Sequence, residues 1–484
     1  MSMRGDAYWT ATDTVVSSGL AFLLRLVVAR VLAPEDFGVA ALAVTVVSIL
    51  QTVNDFGLTA ALIQRDEREV TPDFIDTTFT ASLLITICLA ALTGLVAAPL
   101  AASAYGEPQL HALILALAVT LLPSPFTTVT ASLLLRARRF RTTALIKIVS
   151  TLIGMTAAIV VLVVHPSAWV IIAQVTATAL SSALMFQIAR PRRFRLRLNR
   201  EHLRSVFGFS GFVLASDLIG NLQANAGVFI LGLVLVTSDV GMFALALYLT
   251  DTARKLVMSI LARVSFVHFS RNKHDLAFLR DTFAATVRWN CRALFPLMAS
   301  MMLFGPEWVP RLFGAEWQSI GPVVFWLALT VMVGTAGGTT SNLFRSIGRP
   351  GLDLAVTVCT TVVILFPTLY LAARFFGLEG AVIAIFAVKL LAITVRLSIL
   401  PRIVPGAAGA ALARAGEQLV LQTPIVAAWA LSGALGLGGT LAELALLALA
   451  LALYAAVELP RAFPTQWRVG KRWAGTVLAG SSAR

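Results

Sequence analysis

The stretch LLRLVVARVLAPEDFG, Leu23 to Gly38, is apolar enough for a lipid bilayer yet carries Arg25 and Arg30. A guanidinium keeps its charge in a protein, so the chemistry it offers is the holding of an anion, carboxylate or phosphate, through a planar fork of donors. Arg25 precedes the expected helix end near Ala33 by about eight residues, which is about 12 Å of depth. Snorkelling rescues Arg30 but spans only about half of that depth for Arg25. A central arginine costs at least about 2.5 to 3.5 kcal/mol on insertion scales, and such residues face a bundle interior or a wet cavity. Two readings follow: an ion pair, with Asp55 of VNDFG in the next span as partner, or a hydrated pathway in which Arg25 binds an anionic cargo. The second is the working expectation.

Other charges share the apolar runs. Asp251, Arg254 and Lys255 lie in YLTDTARKLV and Arg288 and Arg292 in VRWNCR, while Lys147 and Lys389 stand alone in theirs. Asp251 and Lys255 have the i,i+4 spacing of a pair on one helix face, which leaves Arg254 without a counter-charge. Arg288 and Arg292 share a face, where they repel unless an anion or carboxylate is near; snorkelling and a gate are both open readings. These bases outnumber the embedded acids Asp55, Asp217, Asp251 and Glu443. A cavity with surplus positive charge suits an anionic substrate and repels cationic drugs. The candidate cavity residues are therefore Arg25, Arg254, Lys255, Arg30, Asp55 and Asp251, with Asp217, Asn221, Arg288 and Arg292 as further cavity or gate positions. The run DLIGNLQAN, Asp217 to Asn225, offers neutral hydrogen bonds either to sugars or between helices.

Little else in the chain suggests chemistry. His111, His165, His202, His268 and His274 lack ligand spacing, so neither a metal site nor a cofactor is expected. Cys88, Cys291 and Cys359 fall within apolar runs and read as small core residues, not a disulfide framework.

The elements that must position these groups follow from composition. Of 484 residues, 58% are hydrophobic and 13% charged, and the mean hydropathy is +0.86; soluble domains carry about 25% charged residues. About fourteen apolar runs of helix-spanning length recur from end to end, so the fold expected is an all-α polytopic membrane protein. MSMRGDAYWTATD leads into a run longer than a signal-peptide core, with no small-residue cleavage site after it, and reads as retained.

The net charge of +14 is placed alternately. Even-numbered breaks between spans are basic, notably RARRFR from Arg136 and RPRRFRLRLNREHLR from Arg190, whereas odd ones such as AYGEPQ are nearly free of Lys and Arg. The positive-inside rule puts the even breaks and both termini in the cytoplasm. The Arg190 to Arg204 loop then reads as a topology signal and a contact for anionic headgroups, and no nucleic-acid partner is expected.

The two halves resemble each other. LAPEDFGVAALA from Leu32 aligns with LVTSDVGMFALA from Leu235, DTTFTAS from Asp76 with DTFAATV from Asp281, YGEPQ from Tyr105 with FGAEWQ from Phe313, and LLLR ending at Arg136 with NLFR ending at Arg345. The same order at a separation drifting from about 203 to about 209 argues for duplication of a six-helix unit. An even number of helices makes the two units parallel, related by an axis along the membrane normal. The expected plan is an N-lobe at 1–190, a basic cytoplasmic linker at 191–205, a C-lobe at 206–402, a two-helix hairpin at 403–460 and a basic cytoplasmic tail at 461–484. LPSPF around Pro123 and Pro125 should kink the fourth span, and GTAGGTTSN from Gly334 should permit close packing or unwinding in the tenth.

ARVLAPEDFGVAALA followed by VNDFGLTAALIQRDE resembles the start of the polysaccharide transporter branch of the MOP exporter superfamily, whose members begin with an Arg-bearing first helix, an L-x-P-E-D-[FY]-G loop and a D-x-G-L segment ending near Q-R. Those elements fall on Arg30, Leu32, Pro34, Glu35, Asp36, Phe37 and Gly38, then on Asp55, Gly57, Leu58, Gln64 and Arg65. The resemblance implies a V-shaped pair of lobes around a basic cavity, as in the related lipid II flippases. It implies a flippase carrying undecaprenyl-diphosphate-linked oligosaccharide units across the bacterial inner membrane for O-antigen, capsule or exopolysaccharide synthesis. Its implied partners are that lipid-linked glycan, membrane lipids, and the polysaccharide polymerase and chain-length machinery. Arg25 fits the deep first-helix arginine of this pattern, and Arg254 fits one in the eighth helix by position.

Three other classes compete. A multidrug antiporter of the same superfamily would want embedded carboxylates as its sites, and in this chain bases prevail. A major-facilitator transporter would carry G-x-x-x-D-R-x-G-R after its second helix, where this chain has RDEREVTPDF. A membrane glycosyltransferase or polymerase would present catalytic acids on a sizeable external loop; the external loops are short, although FGPEWVPRLFGAEWQ offers Glu307 and Glu316.

Overall fold

A computed structural model describes residues 3–55, 62, 68–271 and 275–462. The basic tail, the histidine at 274 and the Gly57, Leu58, Gln64 and Arg65 part of the second-helix motif lie outside this set. Met3–Val31 forms α1 and Pro34–Asp55 forms α2. Pro72–Tyr105 is α3, a continuous rod with a π-helical turn at Thr93–Ala97. The fourth rod, α4, is split into Gln109–Ala118 and Ser124–Arg136. Phe140–Val164 is α5 and Trp169–Ala189 is α6.

The second half begins with α7 at Arg200–Gly232, α8 at Thr237–Arg271, α9 at Leu276–Phe313 and α10 at Gly321–Ser346. A helical run from Pro350, with a π-helical turn at Cys359–Leu365, reaches Ile399 through Gly377, whose φ of 64° and ψ of −154° break it. Its two parts are α11 (350–376) and α12 (378–399). Ala407–Val420 and Thr423–Ala434 together make α13, and Leu441–Ala462 is α14. The backbone at Gly377 is open to glycine and strained for other residues, so the polypeptide turns back there with almost no loop.

Helix starts follow local chemistry. The Thr71 hydroxyl accepts from Phe74 N at 3.2 Å and Pro72 opens α3; proline at a first turn costs no hydrogen bond. Pro123 and Pro125 break α4 as the sequence implies, because a ring inside a helix removes a donor and crowds the preceding turn. Of the two readings of the glycine-rich tenth span, close packing is the one seen: α10 stays helical, and a Cβ at Gly337 would come within 2.5 Å of Ile393 Cγ2. Gly334 and Gly337 serve close packing of α10 on α12, whereas a Cβ at Gly338 would meet nothing within 4 Å, and no unwinding occurs. Of the cysteines, Cys291 is buried in α9 as expected, but Cys88 and Cys359 are exposed on the outer surface of the rods, a correction to their reading as core residues.

Among the described residues, eight helical stretches are long and apolar enough to cross a membrane by length and composition. Two parallel six-helix lobes, α1–α6 and α7–α12, carry α13 and α14 on the flank of α9. The breaks rich in arginine fall at one end of the rods, the basic end.

The lobes touch mainly through α2 against α7 and α8. Gly38 of α2 faces Gly241 of α8: a Cβ on Gly38 would sit 2.0 Å from Thr237 O, and one on Gly241 1.8 Å from Pro34 O. These two glycines are repeat equivalents in the sequence. They let the two backbones meet at the end opposite the basic one, where Tyr105 OH also donates to Phe229 O at 3.3 Å and Thr237 Oγ1 to Glu107 Oε1 at 3.1 Å.

Candidate functional site

Arg25 lies at this seam between lobes. Its guanidinium carbon is 5.7 Å from the ring centre of Phe37 in its own lobe and 5.6 Å from that of Tyr248 on α8 of the other, and Phe22 stacks on Tyr248 at 6.1 Å. Among the described residues no carboxylate pairs with Arg25, so the Asp55 ion pair does not form there. Asp55 ends α2, half-buried and engaged elsewhere. Aromatic rings stabilise a guanidinium through the quadrupole of their faces, but they accept no hydrogen bond from its in-plane donors. The donors of Arg25 therefore stay available to an anion.

Arg254 lies further along α8 than Tyr248, in different surroundings. Arg254 Nε donates to Asp251 Oδ1 at 2.7 Å, Arg254 Nη2 donates to the same oxygen, and Lys255 Nζ lies 2.8 Å from Asp251 Oδ2. The sequence-based pairing of Asp251 with Lys255 alone is thus corrected: the i,i+3 neighbour shares the carboxylate, and Arg254 is compensated. Lys255 points outward, with its side chain 69% exposed.

Arg254 and Asp251 line a cavity of about 470 Å³ enclosed by α7 to α12, wholly within the C-lobe. Gln223, Thr250, Asn290 and Asn342 give this cavity neutral polar walls, and Lys389 of α12 adds a second cation. No ion pair with Lys389 occurs among the described residues. Two bases against one acid leave the cavity positive. Arg25 does not line it.

The remaining candidates separate cleanly. Arg30 is at the end opposite the basic one, in an open hollow with Glu307, Arg311 and Gln318. Asn221 Nδ2 donates to Thr52 Oγ1 at 2.7 Å and to Ser48 O at 3.3 Å, tying α7 to α2 as a helix-to-helix bond. Asp217 is exposed on α7. Lys147 of α5 pairs with Asp13 of α1 at 3.3 Å.

Arg288 and Arg292 face the C-terminal helices. Arg288 Nη2 is 3.0 Å from Glu417 of α13, and Arg292 Nε donates to Glu458 of α14, the two side chains being 10% and 3% exposed. Gln418 Nε2 donates to the same Glu458 at 3.3 Å, and Tyr454 OH to Arg292 O at 2.9 Å. Mutual repulsion is thereby answered by carboxylates, and the pair fastens α13 and α14 to α9. Glu443 has the same purpose at the other end of α14, accepting from Trp308 Nε1 of α9 at 2.8 Å and Ser432 Oγ of α13 at 3.2 Å.

Three features eluded sequence reading. The packing of Tyr248 and Phe37 around Arg25 left no signal in the sequence, since the two aromatics are not equivalent positions of the repeat. The Gly38 to Gly241 contact had a signal, since both glycines survive in both repeats. The hold of α3 on the basic linker had a weaker one in the polar run DTTFT at the start of an apolar span.

A family model for polysaccharide biosynthesis proteins matches residues 27–322. The succinoglycan biosynthesis transport protein ExoT of Rhizobium meliloti (strain 1021) is 26% identical over 344 residues, 70% of this chain and 68% of the relative. The lipopolysaccharide biosynthesis protein WzxC of Escherichia coli (strain K12) is 24% identical over 403 residues, 81% of this chain and 80% of the relative. Among solved structures, the lipid II flippase MurJ in an inward closed conformation has a TM-score of 0.71 at 11% identity, with 94% of this chain and 98% of that chain covered; a likeness at this identity speaks to fold.

Proposed function

Because the chain belongs to the polysaccharide biosynthesis protein family, we propose that it is a flippase moving undecaprenyl-diphosphate-linked oligosaccharide repeat units from the cytoplasmic to the outer leaflet of the inner membrane, for O-antigen, capsule or exopolysaccharide synthesis. The observation that carries this reading is Arg25, a permanent cation within an apolar helix whose described neighbours are aromatic faces. A diphosphate is the complement of that group: its oxygens take the in-plane donors, bidentately where geometry allows.

With the basic end in the cytoplasm, the Gly38 to Gly241 contact closes the seam on the outer side and leaves the headgroup to enter from the inner side. The diphosphate pairs with Arg25 at the seam. The adjoining sugars meet the positive, hydroxyl- and amide-lined space that holds Arg254 and Lys389, while the prenyl tail stays in lipid. Rocking of the lobes about the seam then reverses access. No bond is made or broken, so the protein acts as a transporter and not an enzyme; the flipped unit passes to a polymerase and its chain-length partners. A cation antiporter is disfavoured because Asp251, the acid of the C-lobe cavity, is already spent on Arg254 and Lys255.

The test is a strain lacking this protein. Polyprenyl-diphosphate-linked glycan should accumulate in the cytoplasmic leaflet and disappear on complementation. A deletion strain with normal polymer and no accumulated intermediate would sink the assignment.

A further inference from the structure

The basic linker between the lobes has the composition of a solvated loop, but it is bound along its length. Arg192 Nη2 donates to both oxygens of Asp76 on α3, at 3.0 and 2.8 Å, and Arg192 Nη1 to Pro72 O at 3.0 Å. Beyond it the backbone is extended, and alternate amides point at α3: Arg195 N donates to Asp76 Oδ1 at 3.1 Å, Arg197 N to Thr80 Oγ1 at 3.0 Å and Asn199 N to Thr77 Oγ1 at 3.3 Å. Phe194 stacks on Phe79 with ring centres 4.7 Å apart, and Arg197 pairs with Asp73.

An extended chain on a helix has a particular difficulty, since its amides need acceptors and the helix carbonyls are already used. Asp76, Thr77 and Thr80 are short side-chain acceptors placed where the carbonyls cannot serve. The Asp76 side chain is 3% exposed, so it is committed to this contact. Its repeat equivalent Asp281 is 70% exposed and bonded to its neighbour Arg280. Only the first copy of the repeat is adapted in this way among the described residues.

We propose that residues 190–202 are a strap belonging to the N-lobe, with Asp76 as its positioning residue, and that the joint between the lobes lies in α7 beyond His202, whose ring still packs edge-on against Phe74 of α3 with ring centres 5.6 Å apart. Asn199 leads into that joint: its amide is held by Thr77 of α3 at 3.3 Å, and its side chain caps α7 by accepting from Glu201 N at 2.9 Å. A free linker of this length would let the lobes drift apart at the basic end. A strap denies them that slack and makes the opening of the basic-end mouth a rotation about one place. This rests on the rocking motion proposed above.

The test uses a full-length variant with Cys88, Cys291 and Cys359 replaced by Ala, carrying Thr80→Cys and Arg197→Cys. Crosslinking should proceed readily and leave flipping of lipid-linked glycan in proteoliposomes within twofold of the reduced protein, because the strap never leaves α3. A crosslink that stops flipping reversibly on reduction would overturn the proposal, as would failure of the pair to crosslink. Hydrogen exchange decides independently of transport. The amides of Arg195, Arg197 and Asn199 should exchange at least tenfold more slowly than an unstructured chain, with that protection lost in Asp76→Ala and untouched in Asp281→Ala. Exchange at unstructured rates in the wild type contradicts the strap. Should the wild type show protection but no flipping, the flippase reading fails and the strap stands.

Discussion

Two groups of arginines lie within the apolar rods, and they are held in opposite ways. At the α9 contact with α13 and α14, Arg288 and Arg292 each meet a glutamate, and Arg292 and Glu458 are nearly sealed from solvent. At the seam between lobes, Arg25 meets Phe37 and Tyr248 and no carboxylate among the described residues. The same residue type thus serves as a fastener in one place and as an available cation in another. Burial does not separate the two roles; the partner does. Arg254 is intermediate, paired with Asp251 yet lining the C-lobe cavity.

The comparison can be broken most directly by removing each arginine. Truncating Arg292→Ala leaves Glu458 buried without its main partner, which costs about 3 to 5 kcal/mol; the purified protein should lose thermal stability and α13 and α14 should become protease-sensitive. Arg25→Ala should leave the melting temperature nearly unchanged while flipping falls at least about tenfold, since a hydrogen bond to a charged group contributes about 1.5 to 3 kcal/mol. If Arg25→Ala melts as early as Arg292→Ala, the two arginines are both structural and the contrast collapses.

Smaller substitutions sharpen it. Arg25→Lys keeps the charge but loses the planar fork and its stacking, so flipping should stay several-fold below wild type; full activity would mean that charge alone matters at the seam. Lys389→Met removes one of two cations from the C-lobe cavity and should slow flipping about fivefold, judged against the value of about 1 kcal/mol typical of a partly hydrated ion pair. Asp251→Asn should have the least effect, within about threefold on the same scale, because Arg254, itself 40% exposed, loses its partner's charge but keeps its place in the cavity.

Much of this was legible in the residues. The all-helical membrane fold and the break at Pro123 and Pro125 follow from recurrent apolar runs and from the missing amide of proline. Arg25 stood out because a permanent charge at that depth needs a reason. The fastening role of Arg288 and Arg292 was hidden, since Glu417 and Glu458 lie 129 and 166 residues further along the chain and periodicity says nothing about such pairs. The π-helical turns at Thr93–Ala97 and Cys359–Leu365 leave no mark in hydropathy. The basic linker was read by its charge as a topology signal; its hold on α3 depends on backbone amides, which every sequence possesses.

The most direct measurement compares flipping of a polyprenyl-diphosphate-linked glycan by proteoliposomes containing wild type or Arg25→Ala, at equal incorporation and equal melting temperature. Transport by the wild type and at least about a tenfold loss in Arg25→Ala is the predicted result. Equal rates for the two would show that Arg25 holds no cargo, and would contradict the central role of an arginine that meets aromatic rings in place of a carboxylate.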